Sequence, residues 1–355
     1  MKILHIICDL KPGGAQRMVS EIVPLLREGG HDTEILVFDN EKTDLYKSLS
    51  DSNINILNLN FRNIRNPLNI IKLHSIIKNY DIIHSHTTVP QLFLALAASG
   101  LKNKIITTEH STTNRRRKLK WYRPVDKFMY GCYDKIICIS EAAGNNLKEW
   151  TKDKNTSKYV VINNGINLEK FNYADALSTV NNEGEKYITM VSRFVASKDQ
   201  ATLIRAIPLI KRDGLIFIFV GDGENKEEME QLASKLNVKE KCRFLGNRND
   251  VADIIAQSYI GVQSSHWEGF GLTAVEFMAS GKPIIASDVE GLKDVVKDAG
   301  IIFKPGDEYS LAKKIENLLD NSCYYNLVAK KCRERAALFD IRNTVAAYLD
   351  LYKKL

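Results

Sequence analysis

Apolar and polar positions alternate in two rhythms along this chain. Short β-branched runs recur from end to end, and amphipathic stretches lie between them. The first half offers "KILHIIC" (2–8), "TEILVF" (33–38), "INIL" (54–57), "DIIHS" (81–85), "KIITT" (104–108) and "KIICIS" (135–140), with helical periodicity over, for example, 15–28 and 67–79. The second half restarts with "KYITMVS" (186–192), "LIFIFVG" (215–221), "KCRFLG" (241–246), "IGVQSS" (260–265), "PIIAS" (283–287) and "GIIF" (300–303). Near-continuous apolar strands separated by helices predict parallel sheets covered on both faces. Twelve strands are too many for one core, and the polar stretch 172–185 divides them. The pattern therefore predicts an α/β protein of two tandem doubly wound, Rossmann-like domains facing a cleft. The expected domains are 1–165 and 166–340. A helical pattern over 341–353 has no strand after it, so 341–355 is expected to pack back on the first domain. Ligands of such sheets bind beyond the carboxyl ends of the strands, so the loops that follow strands are where chemistry is sought.

Composition narrows the class. A chain of 355 residues, 44% apolar and 26% charged, is globular and suits two domains. No apolar run has the length to span a bilayer, and "MKILHIICDLKPGG" lacks the flanks of a signal peptide. The six cysteines form no C-x-x-C pair and are expected to be reduced. These features together predict a cytoplasmic protein. The net charge of +7 is uneven: residues 1–165 hold 24 Lys+Arg against 16 Asp+Glu, and residues 166–355 hold 26 against 27. The first half is thus the one expected to meet an acidic partner, unless its excess is a solvated basic surface.

The loop after strand 260–265 reads "HWEGFG" and opens into a helix near Gly271. Gly269 and Gly271 let backbone approach a ligand, and the first helical N–H groups are unpaired, which makes a phosphate seat. Glu276 lies farther into the helix, where a carboxylate can accept two hydrogen bonds from a vicinal diol such as ribose. Glu268, before the helix, can bind hydroxyls on the other side of the phosphates. A phosphate between two diols describes a nucleotide sugar. The plainer reading is that both acids are favourable charges near a helix N-terminus. After strand 186–192, Arg193 and Lys198 flank another helix start and can clamp a diphosphate, or form surface salt bridges.

Other loops are less specific. Gly221 and Gly223 in "VGDGENK" lack the third glycine of a dinucleotide fingerprint, since Lys226 stands there. They mark a base-contacting turn or a simple strand-to-helix turn. The stretch "GNRND" (246–250), with Asn247, can line a base pocket. Gly13 and Gly14 after strand 2–8 offer another close approach, or only a tight turn. His110, after strand 104–108, can bond a sugar hydroxyl near the reacting carbon, assist proton movement, or be structural. His84 and His86 form no adequate metal set by themselves, and the chain has no D-x-D.

In order along the chain, "GGAQR", "ICISEAAGNNL", "VINNGIN", "VSRFVASKD", "VGDGE", "RFLGNRNDV", "EGFGLTAVE" and "GKPIIASDVEG" resemble the retaining GT-B glycosyltransferases of family GT4, the glycogen-synthase-like and mannosyltransferase type. The E-x7-E pattern with Arg-x4-Lys is the specific part. One departure is Leu292-Lys293-Asp294, where the family usually has Ile-Pro-Glu. The resemblance implies that Arg193 and Lys198 bind the donor diphosphate and Glu276 the ribose. It also implies that Glu268 contacts the donor sugar, that the backbone of Gly269, Phe270, Gly271 and Leu272 lies near sugar and phosphates, that Gly14 abuts the diphosphate, and that His110 sits at the reacting centre. It implies retention of anomeric configuration without metal or other cofactor.

The expected donor is a UDP-linked hexose or N-acetylhexosamine, with GDP-mannose second. The expected acceptor is a glycan or a polyprenyl-diphosphate-linked glycan of cell-surface polysaccharide synthesis. The stretch "RRRKLKWYRPVDK" (115–127) holds seven cations and one anion around Trp121 and Tyr122, and can meet an anionic membrane surface or remain a solvated loop. The competing classes are a nucleotide-sugar epimerase of the same architecture and, on charge alone, a nucleic-acid-binding protein. The second is disfavoured, and no nucleic acid is expected as a partner.

Overall fold

The structure is a computed structural model. It describes residues 1–39, 41–59, 63–112, 114–171 and 184–355. The polar stretch 172–185, expected to separate the domains, lies almost wholly outside these. The described residues divide into two compact units, Met1–Gly165 with Ile341–Leu355, and Ile166–Asp340.

The first unit holds β1 (Lys2–Ile7), β2 (Asp32–Val37), β3 (Ile56–Asn58), β4 (Ile82–His86), β5 (Lys104–Glu109), β6 (Lys135–Cys138) and β7 (Tyr159–Val161). They form one seven-stranded sheet in the order β3-β2-β1-β4-β5-β6-β7. The second unit holds β8 (Lys186–Val191), β9 (Leu215–Val220), β10 (Cys242–Gly246), β11 (Ile260–Gln263), β12 (Ile284–Ser287) and β13 (Ile301–Phe303), in the order β10-β9-β8-β11-β12-β13. Every strand pair is parallel. Both sheets are therefore doubly wound. The strand order reverses between β1 and β4 in one, and between β8 and β11 in the other, which marks the crevices where such sheets bind ligands.

Burial explains why these runs are strands. All six residues of β9 are buried, as are Ile3, Leu4, Ile6 and Ile7 of β1. Side chains alternate between faces of a strand, so a continuous buried run needs helices on both sides. Two differences from the sequence expectation have local causes. The strand "KIICIS" stops at Cys138 because Ser140 caps the helix Glu141–Thr151, its Oγ accepting from Ala143 N at 3.2 Å. The other difference is β7, one strand more than the twelve expected, with only three residues.

The helix Ile341–Lys353 belongs to the first unit. Tyr352 Oη lies 2.6 Å from His84 Nδ1, Tyr348 Oη lies 3.2 Å from Thr108 Oγ1, and Thr344 Oγ1 donates to Asn163 O at 2.9 Å. All six cysteines are free thiols. Among the described residues, no helix is long and apolar enough to cross a membrane.

Candidate functional site

In the second unit the site grows from the loops after β8 and β11, the two strands at the order reversal. These loops are stitched together. Lys198 and Ser265 form an antiparallel bridge, Asp199 N donates to Ser264 O at 3.1 Å, and His266 N donates to Ser197 O at 3.0 Å. Asp199 then caps the helix Gln200–Ala206, accepting from Thr202 N at 3.2 Å and Thr202 Oγ1 at 2.5 Å. The stitching brings Lys198 Nζ onto Glu268 Oε2 as an ion pair whose side chains are 15% and 16% exposed. Gln263, at the end of β11, donates to the same oxygen at 3.5 Å, and Gly269 N donates to Glu268 Oε1 at 3.3 Å.

Arg193 is exposed in the β8 loop. Among the described residues its side chain makes no hydrogen bond or ion pair. The neighbouring Phe194 is buried and fixed through its backbone: its N–H donates to Asp222 O at 2.9 Å and its carbonyl accepts from Asn225 N at 3.1 Å. Gly221 and Gly223 make that approach possible. At φ +127 and +152, a Cβ would fall 2.2 Å from Ser192 O and 2.4 Å from Phe194 O. Whatever else they contact, these glycines have a packing cause: they let the β9 loop lie against the loop carrying Arg193. Asn247 is exposed after β10, the edge strand.

The helix Leu272–Ala279 starts at Gly271, whose φ of +100 turns the chain into it. Ala274 N and Val275 N donate back to Gly271 O at 3.0 and 3.3 Å, leaving the N–H groups of Leu272 and Thr273 without a helical acceptor. Glu276 is on this helix and only 1% exposed. Phe270 is core: its ring meets Phe339 edge-to-face at 5.5 Å, so only its backbone is left for a ligand. Sequence reasoning missed two supports. One is Gln263. The other is Gly291, where a Cβ would lie 2.7 Å from the carbonyl oxygens of both Glu268 and Gly269, holding that turn in place.

In the first unit, Gly14 begins the helix Gly14–Glu28 directly after the β1 loop. His110 follows β5 and joins a row of imidazoles. His5 Nδ1 lies 3.0 Å from His86 Nε2, and His86 Nδ1 lies 3.0 Å from His110 Nε2. Burial drives all of these rings toward the neutral form, His5 down to about 3, His110 down to about 4, and His84 and His86 well below the usual imidazole range. The sequence offered His84 with His86, and His110 separately, but not His5. The parallel register sets His5 of β1 beside His84 of β4, which no spacing could reveal.

The basic stretch after His110 differs from expectation. Arg117 pairs with Glu109 at 3.0 Å, with both side chains under 10% exposed, and donates to Thr112 O at 3.0 Å. Arg116 pairs with the fully buried Asp126 at 3.2 Å. Glu109 also accepts from Tyr130 Oη and from Ser111 Oγ. Burial alone would raise the Glu109 pKa, but Arg117 and these hydroxyls outweigh it and hold it below the usual carboxylate value. Two of the expected surface cations thus neutralise buried acids. The side chains of Arg115 and Lys118 lie outside the described set. Lys120 and Lys127 remain exposed, beside exposed Leu119, Trp121 and Phe128.

Two parallel doubly wound sheets, with a cation–carboxylate pair and a free helix N-terminus at one order reversal, define a GT-B glycosyltransferase architecture. The chain belongs to the glycosyltransferases of group 1 and family 4: the model for glycosyl transferases group 1 matches residues 175–338, and that for glycosyltransferase family 4 matches 12–170. It is 27% identical to the UDP-Gal:alpha-D-GlcNAc-diphosphoundecaprenol alpha-1,3-galactosyltransferase of Escherichia coli, over 99% of this chain and 96% of that one. It is 25% identical to an N-acetylgalactosaminyltransferase of Campylobacter jejuni acting on a diphospho-undecaprenol glycan, over 94% of each. A structure from Anabaena solved with UDP and glucose superposes over all of both chains with a TM-score of 0.89 at 20% identity, a likeness of fold.

Proposed function

We propose that this glycosyltransferase moves a hexose or N-acetylhexosamine from a UDP-sugar to a lipid-linked diphosphate glycan, with retention and without a divalent metal. The observation that carries the reading is the Lys198–Glu268 pair, fixed between the β8 and β11 loops beside the open N–H groups of Leu272 and Thr273. A leaving nucleoside diphosphate gains negative charge as the sugar bond breaks. Lys198, the unpaired Arg193 guanidinium and the helix N-terminus supply fixed positive charge where it grows. Glu268 positions Lys198 and reads sugar hydroxyls, Glu276 reads the ribose, and the family resemblance gives His110 the reacting centre. The names of the Escherichia coli and Campylobacter jejuni relatives support a diphosphate-linked lipid acceptor.

The acceptor side is consistent in charge. A pocket of about 480 Å³ in the first unit is lined by Lys120, Arg123 and Lys152, with Trp150, Glu149 and the Glu109-paired Arg117, and the three remaining cations suit phosphate. Exposed Leu119, Trp121 and Phe128 with Lys120 and Lys127 suit an anionic bilayer on which such an acceptor resides. A screen of UDP- and GDP-sugars for nucleotide release, in EDTA, with and without undecaprenyl-diphosphate glycans, tests the whole reading. Release that needs added metal, or that no lipid-linked acceptor stimulates, overturns it.

A further inference from the structure

Three imidazoles lie in one hydrogen-bonded row, the buried His5 and His86 and the half-buried His110, and the row ends on two ring nitrogens that have no partner among the described residues. These are His5 Nε2 and His110 Nδ1. We propose that His86 is a positioning residue for His110, and that the three rings share one tautomer, which makes His110 an Nδ1–H donor toward substrate. This deepens the transferase reading above, from which it takes the place of His110 at the reacting centre.

The argument is one of counting protons. A neutral imidazole has one N–H and one bare nitrogen. If His86 carries its proton on Nδ1, it donates to His110 Nε2, so the His110 proton must be on Nδ1. His86 Nε2 is then bare and accepts from His5 Nδ1–H, leaving His5 Nε2 bare. If His86 is protonated on Nε2, every assignment reverses. Only these two states satisfy both 3.0 Å contacts. Each leaves one unpaired N–H at one end of the row. A buried N–H without an acceptor is tolerated less well than a bare acceptor. Both terminal nitrogens are themselves buried, but His5 is 0% exposed inside β1, whereas the His110 ring is partly exposed at the carboxyl end of β5, the end of such a sheet where ligands bind. The unpaired N–H therefore belongs on His110, and all three rings are Nδ1-protonated. His110 then offers a donor suited to a hydroxyl or phosphate oxygen.

Coordination explains the cluster less well. His5, His84 and His86 bring ring nitrogens within 4.8 Å of one another. Yet both His84 nitrogens already meet hydroxyls, Tyr352 Oη at 2.6 Å and Thr108 Oγ1 at 2.7 Å. The His84 and His86 rings stack, with centroids 4.3 Å apart, rather than converge on a common centre.

The test is a long-range ¹H–¹⁵N spectrum of the full chain labelled at histidine, at pH 7, with elemental analysis of the same sample. The expected result is a protonated Nδ1 and bare Nε2 on His5, His86 and His110. Protonated Nε2 on His110, differing tautomers along the row, or a stoichiometric bound metal overturns the proposal. The wild-type spectrum decides this even where a variant fails to fold. In His86→Phe, His110 is expected to show mixed tautomers, and kcat to fall about 10²-fold with the donor KM little changed. His86→Gln is expected to recover most of the rate, because its amide can accept from His5 and donate to His110. An unchanged His110 tautomer in His86→Phe also overturns the coupling. Absence of nucleotide release by wild type refutes the transferase reading instead, and leaves the tautomer result standing.

Discussion

Glu268→Gln separates two roles that a single carboxylate plays. Glu268 neutralises Lys198, and both side chains are about five-sixths buried by their 16% and 15% exposure. A diphosphate must compete with Glu268 for that ammonium. At an effective dielectric near 20, opposite charges about 4 Å apart attract by about 4 kcal/mol, most of which is offset by desolvation and ordering, leaving about 1 kcal/mol net. Glutamine keeps the shape and the hydrogen bond but not the charge. Free UDP should therefore bind Glu268→Gln about fivefold more tightly than wild type, since 1.4 kcal/mol is a factor of ten. The sugar end should behave oppositely. Glu268 contacts donor hydroxyls in the proposed function, and losing a charged acceptor at a reacting substrate typically costs about 10²-fold in kcat/KM. Calorimetry with UDP and nucleotide release from the UDP-sugar measure the two arms. UDP binding that weakens in the variant would refute the competition. Turnover that is unchanged would remove Glu268 from the sugar.

Three further outcomes are expected. Arg193→Ala and Lys198→Ala should each lower kcat/KM by about 10²- to 10³-fold with little change in Tm, as steady-state kinetics and calorimetry would show; near-normal turnover in both sinks the clamp. Acid should destabilise the first unit early. His5 and His110 are held to about 3 and 4, and His84 and His86 also well down, so between about pH 6.5 and 4 only the unfolded chain takes up their protons. The contribution of these neutral rings is fully present above about 6.5 and is lost as pH falls, at up to about 1.4 kcal/mol per pH unit for each ring, so a Tm flat from pH 7 to 5 contradicts their burial as neutral groups. Trp121→Ser with Lys127→Ser should reduce sedimentation with anionic liposomes at low salt while sparing UDP affinity; wild type that ignores such liposomes refutes the membrane surface.

Much of the fold was legible because both sheets are parallel. Such strands are buried on both faces, so "LIFIFV" or "KILHII" stands out as a continuous apolar run. The three-residue run Tyr159–Val161 that forms β7 was not expected as a strand. Register was not legible either. His5 drew no reading of its own from the sequence. Only the pairing of β1 with β4 sets it beside His84 and within reach of His86. The direction of two cations in the basic stretch was hidden for a related reason. Composition counts charges but not their direction, and Arg116 and Arg117 point at Asp126 and Glu109 rather than at solvent. Those acids lie on other elements, so no local pattern announced the pairs.

The two acids around the "EGFG" turn show how far spacing can go. Eight positions apart, Glu268 is read before a helix start and Glu276 inside the helix. The structure adds their burial and their partners. Glu276 is 1% exposed inside the helix Leu272–Ala279, while Glu268 sits before it on the loop that the β8 segment grips. Their difference depends on strand order. Because β11 pairs with β8, the residues following each strand meet, and a lysine seventy positions upstream reaches Glu268. The Arg-x4-Lys and E-x7-E spacings are each local to one loop. What turns two local patterns into one site is the reversal of strand order between β8 and β11, the feature that also opens a crevice in a doubly wound sheet. A change that loosens the 197–199 to 264–266 stitching should therefore separate the cation from the acid without touching either, and its cost in turnover should approach that of Lys198→Ala.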